Sequence, residues 1–296
     1  MLSLAMTETD VRARFDELVA QLRPELHRYC ARMAGSVADG EDIVQDTLER
    51  AMIALDQLDP AALPPLRPWL FRIAHNRAID HGRSYARRMA EPLDAAPLAD
   101  PAITAADDAL AGADAVRIAI ARFLELPPLQ RSCVILKDVL GASLDEIAGY
   151  LELRLPAVKA ALHRGRVRLR ELGDAARAEP APGVPSPVVA RYAALFNARD
   201  WDAVRAMLAD DVRLDITLRA TRVGRREVGL YFTNYDAHHD WQLAPAWLDG
   251  REVLAVPASA TRPAYFIELV VTGDRIAAIR DFRYLGYIVR DARFVP

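Results

Sequence analysis

Residues 154 to 170 hold Arg154, Lys159, Arg164, Arg166, Arg168 and Arg170, with His163 among them and no acidic residue. An uncompensated cationic run suits the phosphate backbone of a nucleic acid, which Lys and Arg bind with release of counterions. A second group, Arg72, His75, Asn76, Arg77, Asp80 and Arg83, lies between Phe71 and Arg88, where there are five Arg and one Asp. Such a surface tracks phosphates and leaves amide and ring groups to meet unpaired bases. A third group has the opposite sign. Asp42, Gln45, Asp46 and Glu49 stand at i, i+3, i+4 and i+7, so a helix gathers them on one face. Carboxylates held that way speed and orient the approach of a basic protein partner. An ordinary solvated face stays open as the alternative for each group.

A fourth set, Asp215, Tyr231, Tyr235, His238, Trp247 and Tyr265, offers candidate pocket groups near the C-terminal end, with His239, Asp281 and Tyr284 beside them in sequence. A carboxylate base with Tyr donors could abstract a proton beside a carbonyl. No spaced dyad stands out, so no catalytic residue is assigned and the chain is not expected to be an enzyme. Adjacent His238 and His239 point different ways and lack a third ligand, which argues against a metal. No cofactor is expected. Cys30 and Cys133 are too few for a disulfide framework and read as small buried hydrophobes.

The elements that must position these groups emerge once the charge is divided along the chain. The 296 residues carry 38 basic and 41 acidic side chains, a net charge of −3 that hides strong local imbalance. Residues 10–90 form a first expected unit and 116–173 a second, the latter with 10 basic and 6 acidic groups. Between them, 91–115 has six acids, no basic residue and three prolines, the composition of a solvated linker that could also shield the basic helices. Residues 174–187 end in a Pro-rich spacer, and 188–296 form a third unit. No run is long and apolar enough to span a membrane, and the first ten residues lack a signal-peptide pattern, so a cytoplasmic protein is expected.

Val11, Phe15, Leu18 and Leu22 lay an apolar stripe on a first helix, and Ile43, Val44, Thr47, Leu48, Ala51, Met52 and Leu55 on a second that begins near Asp39. Glu41 is placed with the polar face of that helix. A third helix starts near Trp69, where Trp69 and Phe71 read as core. In 116–173, Ser143 and Glu146 make a capping box for a short helix; a tight connection follows, and Pro156 opens a second helix with Val158, Leu162 and Leu169 inward. A short helix, a turn and a basic helix fit major-groove docking.

These motifs together resemble a sigma factor of the sigma-70 family, extracytoplasmic-function class. Asp39-Gly-Glu-Asp-Ile-Val-Gln-Asp-Thr-Leu-Glu-Arg-Ala51 resembles the core-binding segment and Pro68-Trp-Leu-Phe-Arg-Ile-Ala-His-Asn-Arg-Ala-Ile-Asp80 the promoter-melting segment. Leu126-Pro-Pro-Leu-Gln-Arg131, Ser143-Leu-Asp-Glu-Ile-Ala148 and Val158-Lys-Ala-Ala-Leu-His-Arg164 resemble the second DNA-binding domain. The resemblance implies that core RNA polymerase and promoter DNA are the partners. Asp42, Gln45, Asp46 and Glu49 would meet polymerase. Arg72, His75, Asn76, Arg77, Asp80 and Arg83 would line the minus-10 site, and Arg154, Lys159, His163, Arg164 and Arg166 the minus-35 site. Where the family's recognition helix usually opens Gly-Thr-Val-Lys-Ser-Arg-Leu, this chain has Pro156-Ala-Val-Lys-Ala-Ala-Leu162, so phosphate contacts and indirect readout should supply much of the minus-35 binding.

The last unit reads as two helices over 188–208 followed by antiparallel strands at 212–218, 252–256, 265–271 and 275–282. Tyr192 to Val212 resembles the opening of the cone-shaped SnoaL-like fold. The expected architecture is therefore multidomain: a helical bundle, a helix-turn-helix domain, and an α+β SnoaL-like domain that modulates activity and holds a small ligand in its cone. The competing reading is a ligand-sensing helix-turn-helix regulator; a third is an enzyme of the SnoaL-like type fused to a DNA-binding module.

Overall fold

The computed structural model describes residues 8–58, 64–89, 120–174, 183–235, 241–259, 262–290, 292 and 294–295. The acidic linker 91–115, most of the Pro-rich spacer and the His238-His239 pair fall outside them. The chain divides into two compact units, Met1–Arg177 and Ala178–Pro296.

The first unit is all helical. Helix α1 (Glu8–Ala34) turns through Gly35, at φ +79°, into α2 (Val37–Leu55), whose N-cap Ser36 accepts a hydrogen bond from the Asp39 N–H. The two helices approach so closely that a Cβ on Gly40 would sit 2.5 Å from the Ala31 backbone. Helix α3 (Leu66–Met89) packs on both. A 3₁₀ segment (Ile120–Glu125) leads to α4 (Pro128–Val134), which continues as a π turn through Val139. Helix α5 (Leu144–Leu151) carries the expected capping box on Ser143 and Glu146 and ends on Glu152 at φ 53°, the left-handed residue that makes the turn into α6 (Leu155–Asp174). A single apolar core runs from Val11 through Phe71 to Leu172, so both helical segments belong to one unit. Cys30 and Cys133 are buried in it as free thiols, and burial raises both pKa values, that of Cys133 to about 12.

The second unit places α7 (Pro187–Asn197) and α8 (Trp201–Ala206) with the core of a seven-stranded sheet. The strands are β1 (Leu208–Ile216), β2 (Ala220–Val223), β3 (Ala244–Leu248), β4 (Arg251–Ser259), β5 (Arg262–Thr272), β6 (Arg275–Asp281) and β7 (Phe294–Val295), ordered β2-β1-β6-β5-β4-β3-β7. Helix α9 (Arg225–Gly229) and a 3₁₀ segment (Leu230–Tyr235) lie between β2 and β3 in the chain. The four expected strands are present, but the run is not wholly antiparallel: β1 pairs with β6 in parallel, Leu214 opposite Ile279. Tyr192, Phe196, Leu214, Leu254, Ile267 and Ile279 fill one core, while Phe266, on the other face of the sheet, stacks on Phe282 at 4.5 Å.

Candidate functional site

The acidic group on α2 divides by depth. Asp42 and Glu49 are exposed, and Gln45 and Asp46 half-buried. Asp46 accepts from Arg50 at 3.1 Å and pairs with the Arg77 Nε on α3 at 2.8 Å. Glu41, placed with them by sequence, is instead fully buried and paired with Arg23. Helical spacing held the signal, since Glu41 lies in register with the buried Val37, Val44 and Leu48 while Asp42 lies with Gln45, Asp46 and Glu49; the Arg that neutralises it comes from another helix. Asp42, Asp46, Arg77, Asp80, His81 and Arg83 line an open groove of about 950 Å³ between α2 and α3. The acidic and basic groups read separately from sequence thus meet through Arg77.

On α3, Asn76, Asp80 and Arg83 are exposed. Arg72 pairs with Glu152, Arg77 with Asp46 and Asp80, and His75 faces inward, its Nδ1 lying 3.0 Å from the Tyr29 hydroxyl and 2.9 Å from that of Ser132. Burial lowers the His75 pKa. Trp69 and Phe71 are core, as expected, and Phe71 stacks on Tyr150 at 5.1 Å. Arg67, which the sequence reading passed over, donates to both oxygens of Glu25 and to the Tyr150 hydroxyl.

On the helix-turn-helix, Arg154 and Lys159 are exposed at the start of α6, and His163 and Arg164 are half-buried. Arg166 donates two hydrogen bonds to Asp138, at 2.9 and 2.6 Å, with only 13% and 4% of the two side chains exposed. That pair ties α6 to the π turn that continues α4. Of the three alanines that replace polar family residues, Ala160 and Ala161 are buried and only Ala157 is exposed. Gly165 is buried too, where a Cβ would meet Val134 at 2.7 Å.

In the second unit Tyr231, Tyr235 and Tyr265, three of the candidate pocket groups, share one core with Tyr192, and Tyr231 binds Asp281. For Tyr192, the hydroxyl at an inward position of α7 was the available signal. Tyr231 donates to Asp281 Oδ2 at 2.6 Å and meets the Tyr235 hydroxyl at 2.5 Å; the Arg283 N–H donates to Asp281 Oδ1 at 2.9 Å. Burial raises the Asp281 carboxyl, opposed by those hydrogen bonds, and raises all four phenols, Tyr265 to about 12. Asp215 does not join the cluster: Val212 and Leu214 point into the core, so strand alternation sends Asp215 to the other face. Trp247 shares the face of Leu254 through the β3–β4 register but sits at its rim, 3.7 Å from where a Gly183 Cβ would be. Tyr284 is exposed, with Arg219 and Arg283 against its ring. His238 and His239 lie outside the described residues.

Among the described residues no helix is long and apolar enough to cross a membrane, and no group of three His, Cys, Asp or Glu could hold a metal ion.

Comparison with known proteins accounts for this arrangement. The sigma-70 region 2 profile matches residues 18–88 and the sigma-70 region 4 profile residues 117–169. The chain is 33% identical over 162 residues to the ECF RNA polymerase sigma factor SigE of Mycolicibacterium smegmatis, covering 53% of this chain and 60% of that one. It is 33% identical over 168 residues to SigL of Mycobacterium tuberculosis, covering 55% of this chain and 90% of the relative. A solved protein of ketosteroid isomerase-like fold from Catenulispora acidiphila aligns with 36% of this chain and 93% of its own, at 17% identity and a TM-score of 0.27. By these relatives and its two matched regions, the chain belongs to the extracytoplasmic-function class of RNA polymerase sigma factors.

Proposed function

We propose that this sigma factor binds core RNA polymerase through the α2 face, directs it to particular promoters and helps open the minus-10 element, acting in the cytoplasm where polymerase works. The exposed Asp42 and Glu49, with Gln45 and Asp46 beside them, supply the charge that meets polymerase. Asn76 and Arg83 on α3 are exposed where the opened strand would run, while Arg72, His75 and Arg77 would leave protein partners to meet it. Arg154 and Lys159 reach phosphates at the minus-35 element, with His163 and Arg164 behind them. Arg166 keeps the recognition helix in place. The observation that carries the reading is the capped α5–α6 pair with exposed cations at its second helix. A sigma factor is a specificity subunit rather than an enzyme, and a free-standing ligand-sensing regulator would have no use for the α2–α3 groove.

Reconstituted transcription tests this reading. Core polymerase with the chain should initiate at a cognate promoter, and Asp42→Ala with Glu49→Ala should weaken core binding while leaving the fold intact. Stable promoter binding by the chain without polymerase would overturn it in favour of the ligand-sensing regulator. Residues 188–296 are proposed to modulate that activity, with a small ligand in the second unit. Removing them should change initiation; unchanged activity and affinity would refute a modulating role.

A further inference from the structure

Arg77 stands between two helix faces that meet different partners in the proposed function. Its Nη2 donates to Asp80 Oδ2 at 2.8 Å, within α3, and its Nε lies 2.8 Å from Asp46 Oδ2 on α2. The two ties differ in kind. The Nε–H has no aligned acceptor among the described residues, so the tie to Asp46 is coulombic without a directed hydrogen bond, and it gives way first. The tie to Asp80 is a charge-assisted hydrogen bond three residues along the same helix, and it travels with Arg77. Asp46 is engaged on both sides. Its Oδ1 accepts from the Arg50 Nε at 3.1 Å while Arg77 faces its Oδ2, so a basic partner must displace a cation of this chain to reach it. Both Asp46 and Arg77 border the open groove between α2 and α3, where an outside charge can approach either of them.

We propose that Arg77 couples the two binding events: a basic group of core polymerase that takes Asp46 releases Arg77, which then turns on Asp80 toward the phosphates of the opened strand. This rests on the proposal that α2 meets polymerase and α3 meets the minus-10 strand, and it names the side chain through which one reports to the other. By linkage the coupling is reciprocal, so a strand that claims Arg77 leaves Asp46 more open to polymerase. Asp80 acquires a purpose from this arrangement. A carboxylate at a DNA face repels phosphate, but this one is a positioning residue that holds the guanidinium on α3 once Asp46 has been lost.

The test uses the full chain, core polymerase and a promoter from which the parent holoenzyme initiates. Arg77→Gln should bind core polymerase about threefold more tightly than the parent, the size of a partly exposed ion pair that no longer has to be broken. Placed in an Asp46→Asn chain, the same substitution should add nothing, a cycle that isolates the pair from charge acting at a distance. The Arg77→Gln holoenzyme, with core saturating, should nevertheless open the minus-10 element less, read by the permanganate reactivity of unpaired thymines. A merely structural role for Arg77 would lower both readouts together. Unchanged or weaker core binding by Arg77→Gln, or an equal gain in the Asp46→Asn chain, overturns the inference. The chain with Asp42→Ala and Glu49→Ala separates the two failures. If it binds core as the parent does, the α2 reading fails and the coupling falls with it; if it is weakened while Arg77→Gln gains nothing, the coupling alone fails.

Discussion

In the helical unit the buried carboxylates Glu41 and Asp138 are each matched by an Arg, Arg23 and Arg166, whereas in the second unit the buried carboxyl of Asp281 is held by a phenol, Tyr231, and a backbone N–H. The contrast matters for what the helical unit meets. Nucleic acid and a protein partner bring formal charge, and an Arg held by a carboxylate, as Arg72 is by Glu152 and Arg77 by Asp46, can exchange one anion for another at an exposed surface. A carboxyl held by a buried phenol and a backbone N–H offers no such exchange.

The largest expected effect is on the Asp138–Arg166 pair. Removing one partner leaves the other buried and uncompensated, so Asp138→Ala should destabilise the first unit by about 3 kcal/mol, read from the denaturant midpoint. Pairing it with Arg166→Met should restore much of the loss. If Asp138→Ala proved neutral for stability while Arg166→Ala abolished minus-35 binding, the helical unit would not hold its charges in the way described.

Acid should then separate the two units by sign. His75 has its pKa lowered by burial, so the folded first unit favours the neutral ring. Its contribution is present above the unfolded value of 6.5 and is lost as pH falls through the lower folded value. Asp281 has its pKa raised, so the folded second unit favours the protonated carboxyl; that contribution is fully present below 3.8 and is lost as pH rises through the folded value. Titrating stability for the parent, His75→Gln and Asp281→Asn should show His75→Gln removing a loss on acidification and Asp281→Asn removing a gain. Equal slopes in all three chains would erase the distinction.

How far sequence reached differs between the units for the same physical reason. Helical periodicity and the capping box at Ser143 and Glu146 located the helices, because those signals are local. Depth was not local. Arg166 sits seven residues after the exposed Lys159, on the same face, and Glu41 is a carboxylate in register with core positions; the partners that bury them, Asp138 and Arg23, are distant in sequence. Ala160 and Ala161 read as lost DNA contacts until burial showed them to be core. In the second unit, the alternating strands at 212–218 and 275–282 were legible, but their parallel pairing brings residues some 65 positions apart together and leaves no local trace. Strand β2 has every residue exposed and so carries no apolar alternation to read. Tyr231, Tyr235 and Tyr265 were found by residue type; Tyr192 was not, since its ring satisfied the helix pattern and its hydroxyl went uncounted.

The smallest effect expected on folding belongs to Arg72 and Glu152, both substantially exposed, with 39% and 65% of their side chains accessible. An ion pair of that kind contributes about 0–1 kcal/mol, so Glu152→Gln should barely move the melting temperature of the first unit. Its consequence lies elsewhere. Glu152 is the left-handed residue between α5 and α6, and its carboxylate holds an Arg that promoter DNA would claim. Releasing Arg72 should therefore raise promoter affinity of the holoenzyme modestly, most visibly at low salt where exposed charges are least screened. Reduced affinity would show instead that the pair positions α3 for DNA.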